Sequence, residues 1–284
     1  MREGLNRLHD AGSAATRRAL RLRAGVGATA TVMQHADLRL SRIVNDRPAL
    51  ILVRHGRKTL RTDQMEWRVG PGEAIVLAAG QTFDVENRLS PAGLYEARWL
   101  VWDPDVISPH AHAGGMPDNG ARAHALGRLP REFGEALERA LDAVADTHYV
   151  PDAVARHRLG EVLVWLGQHG LRFAPPERPG IGARVRALIG AAPGQPWTSA
   201  MAAGMLAMSE SSLRRHLALE GAGFGALLID TRMSHALLLL QASDRPIQHI
   251  AQEVGYDSAS RFAIRFRARF GFAPGALRAR TSLR

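Results

Sequence analysis

The residues of this chain best equipped for chemistry are arginines set among small side chains. Arg214 and Arg215 follow Ser209, Ser211 and Ser212, and Arg261, Arg265, Arg267 and Arg269 alternate with Ala259, Ser260 and Ile264 after Ser258. A guanidinium donates hydrogen bonds from a rigid planar fork, which fits the O6/N7 pair of guanine or the oxygens of a phosphate. Small neighbours let a backbone approach a base edge. Other chemistries lack their residues. With 0 cysteines there is no disulfide, thiolate nucleophile or cysteine-based zinc site. No HExxH, nucleophile elbow or phosphate-cradling glycine loop is present, so an enzyme reading has no support. His110-Ala111-His112 has a metal-compatible spacing, but it lies in a Pro/Gly-bounded loop after the last clear strand and lacks a carboxylate motif. No metal and no cofactor are expected, and His35 and His55 read as ordinary strand or loop histidines.

The elements that must position these arginines are short helices. Ile250, Ala251 and Val254 make one apolar helical face, and Gly255 suits a left-handed cap closing it. Ser258 is a natural N-cap for the next helix, in which Phe262, Phe266 and Phe270 recur every four residues as an inward stripe. Gly271 and Pro274 end that helix. Its opposite face centres near Ile264, with Ser260, Arg261 and Ala268 beside it and Arg265, Arg267 and Arg269 towards the flanks. Taken alone, this is also the pattern of a solvated basic helix. The design repeats upstream, however, where Ser209 caps, Leu213 and Leu217 point inward, and Thr198 to Leu206 supplies a preceding small-residue helix. Two helix-turn-helix units result. Between them, Phe224 to about Ser243 reads as one helix; about 20 residues at 1.5 Å each span roughly 30 Å, near the ~34 Å repeat of successive major grooves.

From Trp197 to Arg278 the chain resembles the DNA-binding domain of the AraC/XylS transcriptional regulators. The matching residues include Ser209, Leu213, Arg215, Gly221, Arg232, Met233, Ala236, Leu239, Leu240, Pro246, Ile247, Ile250, Ala251, Val254, Gly255, Tyr256, Ser258, Ser260, Phe262, Phe266, Phe270, Gly271, Pro274 and Arg278. By position, the resemblance implies that Ser211, Arg214 and Arg215 of the first recognition helix approach base edges. In the second, Ala259, Ser260, Arg261, Ile264 and Arg265 take those places. Ser209, Ser258, Arg267 and Arg269 are the phosphate candidates. Arg215 is the best single base reader. Ile264 departs from the family, which usually has arginine there. Either it meets a thymine methyl, or the second unit mainly clamps phosphate.

Charge agrees with a nucleic-acid partner. From position 181 onward, 13 arginines and no lysine stand against 6 acidic residues, so 13 − 6 leaves +7 of the chain's +10. Lys58, the only lysine, reads as a usage bias and not a functional signal.

The 284-residue length allows two domains. Residues 1–30 read as a flexible basic arm, which is either loose or in contact with DNA or another subunit; it lacks the apolar core of a secretory signal. Residues 31–115 hold short apolar runs, among them Ala49 to Val53, Ala74 to Leu77 and Glu96 to Trp102, separated by Gly/Pro/Asn turns. An antiparallel sandwich or barrel is expected, and the resemblance makes it a cupin-like jelly roll that in many relatives holds an effector. Residues 128–172 read as two amphipathic helices: Phe133, Leu137, Leu141 and Val144 share one face, and Val154, Leu159, Val162, Leu163 and Leu166 another. That pair either covers the barrel or, as the resemblance favours, dimerises. Residues 173–180 form a proline-rich linker, and 181–284 the double helix-turn-helix.

The expected fold is therefore α+β, an antiparallel β domain with a helical pair followed by an all-α domain. The expected protein is a cytoplasmic bacterial regulator that binds double-stranded DNA as a homodimer and takes a small-molecule or protein effector. RNA polymerase is a further partner of such a regulator, and no apolar run is long enough for a membrane span. The alternative is a ligand-binding or protein-interaction module whose DNA contacts are secondary.

Overall fold

The computed structural model describes residues 19–111, 123–174 and 180–277. The described strands are β1 (Ala19–Arg23), β2 (Gly27–Gln34), β3 (Leu38–Asn45), β4 (Ala49–His55), β5 (Arg57–Arg61), β6 (Glu66–Val69), β7 (Glu73–Leu77), β8 (Gln81–Arg88), β9 (Tyr95–Trp102) and β10 (Ala123–Arg128). They form two sheets, ordered β1-β2-β9-β4-β7-β10 and β3-β8-β5-β6. Neighbouring strands run antiparallel. Side chains alternate between faces along a strand. Val32, Ile51, Val53, Tyr95 and Ala97 of the first sheet accordingly pack with Leu40, Leu60, Trp67, Phe83 and Val85 of the second. The opposite face of the six-stranded sheet sends Leu50, Leu52, Leu100 and Trp102 into a separate core with helices.

Those helices are α1 (Pro104–Ile107), α2 (Arg131–Ala145) and α3 (Asp152–Gln168). Phe133, Leu137, Leu141 and Val144 of α2 are all buried, as are Leu159, Val162, Leu163 and Leu166 of α3. Val154 departs from its expected inward face and is 41% exposed, because at about 100° per residue it points well away from the face that buries Ala155, Leu159, Val162, Leu163 and Leu166. Trp102 Nε1 donates to the Leu159 carbonyl at 3.1 Å, fixing α3 on β9.

The basic arm needs correction over residues 19–30, which form β1 and the start of β2; residues 1–18 lie outside the described residues. Ala19-Leu20-Arg21-Leu22-Arg23 alternates apolar and cationic groups, the period of a strand, and arginine content obscured it. Arg23 is buried. It donates to Asp152 Oδ1 at 2.7 Å and to the Ala143 carbonyl at 2.6 Å, binding β1 to the ends of α2 and α3. Two domain limits also move. The sheet continues past 115 into β10, a strand with a weak sequence signal and an irregular register around Gly127. Phe173, placed in the linker, is buried against Trp102 with ring centroids 5.5 Å apart, so the amino-terminal core runs through it. His112 and residues 175–179 lie outside the described residues.

The carboxy-terminal domain comprises α4 (Ile181–Ala191), α5 (Ser199–Met205), α6 (Glu210–Leu219), α7 (Phe224–Ala242), α8 (Ile247–Glu253) and α9 (Ala259–Phe270). The overall class is α+β, as expected. No single described helix is long and apolar enough to cross a membrane. The two domains are in direct contact: α7 packs on β1 and β2, and Arg186 of α4 donates to Asp46 Oδ1 at 2.8 Å.

Candidate nucleic-acid interface

Each helix-turn-helix unit is assembled from one short helix, a left-handed turn residue and an N-capped second helix. In the first, Thr198 caps α5, Ala207 turns the chain at φ +56°, and Ser209 accepts from the Ser212 amide at 3.2 Å to cap α6. In the second, Gly255 turns at φ +80° and Ser258 accepts from the Arg261 amide at 3.4 Å to cap α9. Leu213 and Leu217 anchor α6 from within, and Phe262, Phe266 and Phe270 anchor α9. Successive rings of that stripe lie 5.6 and 4.7 Å apart, so the three phenylalanines are core and hold the opposite face outward.

On α6, Ser211, Arg214 and Arg215 are exposed. Ser211 Oγ lies 3.0 Å from Ser209 Oγ, and Arg214 rests 3.5 Å from Glu210, one helical turn away. Arg215 has no side-chain hydrogen bond or ion pair among the described residues. On α9, Ala259, Ser260, Arg261, Ile264, Arg265 and Arg267 are all exposed. Ile264 is 69% exposed and makes no contribution to the core. Ser209 and Ser258 use their oxygens as caps; the Ser258 hydroxyl proton is left to donate to a phosphate, whereas the Ser209 hydroxyl also shares a hydrogen bond with Ser211.

Arg269 requires correction. Instead of standing free for phosphate, it donates to Asp230 Oδ1 at 2.5 Å and to the carbonyls of Ser41 and Arg42 at 2.8 Å each. It therefore ties α9 to both α7 and β3. The register of β3 shifts between Leu40 and Ile43, and Arg42 adopts φ +55°; this irregularity frees two carbonyls from the ladder. Such a contact joins residues about 230 positions apart, and no local pattern could have announced it.

The spacing between units is set by α7 and one of its side chains. Nineteen residues make α7 roughly 28 Å long. Arg232 donates to the carbonyls of Pro193 and Gln195, at 2.9 and 2.7 Å, and to that of Gly255 at 3.4 Å. It thus joins the entry of the first unit to the turn of the second. Sequence reasoning noted Arg232 only as a match to a pattern. At the start of α4, Glu220 accepts from the amides of Ile181 and Gly182 at 2.8 and 2.9 Å, capping one helix from the end of another.

Residues 202–280 match the family described as "Helix-turn-helix domain". The chain is 40% identical over 78 residues to the transcriptional regulator SirC of Salmonella typhimurium (strain SL1344), a stretch covering 28% of this chain and 26% of that protein. It is 34% identical over 94 residues to the HTH-type transcriptional regulator YdeO of Escherichia coli (strain K12), covering 33% of this chain and 37% of the other. These matches span about a quarter to a third of the curated relatives' own length. A structure of ToxT from Vibrio cholerae, bound to an unsaturated fatty acid, shares the fold over 90% of this chain and 95% of its own, with a TM-score of 0.61 at 13% identity.

Proposed function

We propose, for a chain whose carboxy-terminal domain belongs to the AraC/XylS family of double helix-turn-helix regulators, that it is a sequence-specific DNA-binding regulator of transcription reading two adjacent major grooves. One observation carries this reading. The capped helices α6 and α9 present Arg215 and Arg265 without hydrogen-bond or ion-pair partners among the described residues, while α7, with a length close to the groove repeat, connects the two units. Arg215 reads a guanine edge, with Ser211 and Arg214 at its sides. On α9, Ser260, Arg261 and Arg265 face bases around Ile264, whose exposed side chain suits a thymine methyl. Arg267, Ser209 and Ser258 meet phosphates.

In this reading the amino-terminal domain receives a small-molecule effector and passes its effect through the packing of α7 on β2. The shared fold of a fatty-acid-bound ToxT supports an effector-binding role. Homodimerisation through the outer face of α3, where Val154 and Val164 stay exposed at 41% and 52%, would place two readers on one operator. RNA polymerase is the partner through which bound protein would act.

Selection of bound sites from random DNA tests the core of this proposal. Two contact blocks separated by about one helical turn are expected, and a single block excludes two-groove reading. Arg215→Ala should lose about 1–3 kcal/mol on the selected site and relax preference at one base pair, whereas Arg267→Ala should weaken all sequences alike and flatten the salt slope. Equal losses on selected and random DNA for both variants would sink the base-contact assignment.

A further inference from the structure

Between the two sheets lies a polar cluster that the fold does not require. Lys58 of β5 is 2% exposed and points inward beside Leu60. Its Nζ donates to Asn87 Oδ1 at 2.9 Å, and Asn87 Nδ2 donates to Gln34 Oε1 at 3.2 Å. The ammonium thus orients both amides, and the free end of the chain is necessarily the Gln34 amino group. That Nε2, the Tyr95 hydroxyl and Trp99 Nε1 are buried without hydrogen-bond partners among the described residues. The two rings flank the lysine, and Gln34 ends its hydrogen-bond chain. Nζ lies 5.7 Å from the Tyr95 ring centroid and 5.4 Å from that of Trp99, and Tyr95 pairs directly with Gln34 in the ladder.

The orphaned atoms share one chemistry: each can donate. An unpaired buried donor is destabilising, and an unpaired buried charge considerably more so. No carboxylate among the described residues lies within ion-pairing distance of Lys58. The groups facing it are the neutral Asn87, Gln34, Trp99 and Tyr95. Glu86 and Glu96 alternate to the other faces of β8 and β9, where Glu86 engages Arg39, Arg61 and Arg88. Water would satisfy the donors but leave the charge uncompensated. A compact acceptor bearing one negative charge satisfies both.

We propose that the Lys58–Asn87–Gln34–Tyr95–Trp99 cluster is a binding site for a small carboxylate. The carboxylate oxygens take the remaining ammonium protons and the Gln34, Tyr95 and Trp99 donors, while Asn87 holds the lysine in place. This deepens the effector reading above and rests on it for its consequence at DNA, although the site itself stands on the cluster alone. Burial lowers the Lys58 pKa to about 7. An anion can bind only the protonated lysine, so affinity is full below that pH and falls above it.

Titration calorimetry of the full chain with sodium benzoate and sodium acetate, at constant ionic strength and with benzamide as the uncharged control, tests the site. Expected are saturable binding of at least one carboxylate, at least tenfold weaker binding of benzamide, and a roughly thirtyfold loss of carboxylate affinity between pH 6 and pH 8.5. Lys58→Met should abolish binding, and Tyr95→Phe, the milder change, should weaken it several-fold while the fold is retained by circular dichroism. Absence of carboxylate binding to the wild-type chain, or binding that survives Lys58→Met or ignores pH, overturns the proposal. A gel-shift assay with and without the bound carboxylate then separates the two readings. Binding that leaves DNA affinity unchanged upholds the site and removes its role as an effector.

Discussion

At the scale of single residues, the two turns solve one backbone problem with different side chains. Gly255 holds φ +80° at no steric cost, and a Cβ there would lie 2.6 Å from Arg232 Nη2, disturbing the contact that joins the two units. Ala207 holds φ +56° with a methyl group, exposed to solvent, in a region that costs an L-residue about 1 kcal/mol. Ala207→Gly should therefore stabilise the chain by about 0.5 kcal/mol, the relief of strain exceeding the extra freedom of the unfolded glycine; urea denaturation measures it, and a loss of stability would mean that the methyl contributes packing. The second turn was legible because glycine marks it. The first was legible only through the serine cap that follows, since alanine carries no such mark. Lys58 shows the opposite error. Usage bias explains why other cations are arginine, but not why a single lysine stands buried between the two sheets. Burial and partners, which decide its chemistry, are set by three other strands and have no imprint on neighbouring residues.

At the scale of elements, periodicity made the helices and most strands readable: α2, α3, α7 and α9 fall where apolar spacing put them, and β4, β7 and β9 where short apolar runs did. β1 and β10 were lost because one is rich in arginine and the other carries glycine, so their pairing partners define them more than their composition. The relation between the two units was likewise invisible, because it depends on Arg232 reaching carbonyls 39 and 37 positions before it. This contact has a measurable role. Arg232→Met keeps the aliphatic stem but removes three hydrogen bonds, leaving α7 to set the spacing alone. DNA carrying both contact blocks should be bound at least tenfold more weakly by the variant, while DNA carrying one block is bound within about twofold, each hydrogen bond from a charged donor being worth about 1.5–3 kcal/mol before compensation. Fluorescence anisotropy on the two duplexes reports the difference. An equal loss on both would place Arg232 in the stability of each unit and not in their alignment.

At the scale of the whole molecule, the DNA-binding domain is held by an apolar contact of α7 on β1 and β2 and by polar ties at either side, Arg186 to Asp46 and Arg269 to the carbonyls of β3. Beside the second tie a cleft of about 430 Å³ opens between Asp37, Arg39 and Glu86 on one domain and Phe270 and Phe272 on the other. The Arg269 tie therefore borders space that water can enter. Arg269 is the residue on which seam and DNA reading make opposite demands. If it stays on Ser41, Arg42 and Asp230 when DNA binds, Arg269→Ala loosens the domains without touching the operator contacts. The expected result is a single calorimetric unfolding transition in the wild type that splits or broadens in Arg269→Ala, the seam losing roughly 2 kcal/mol. Affinity for the selected site should meanwhile stay within about threefold and keep its salt slope. A fall in affinity as large as that of Arg267→Ala, with a flattened salt dependence, would show that Arg269 leaves β3 for a phosphate. Docking of the domains and full DNA contact would then exclude one another.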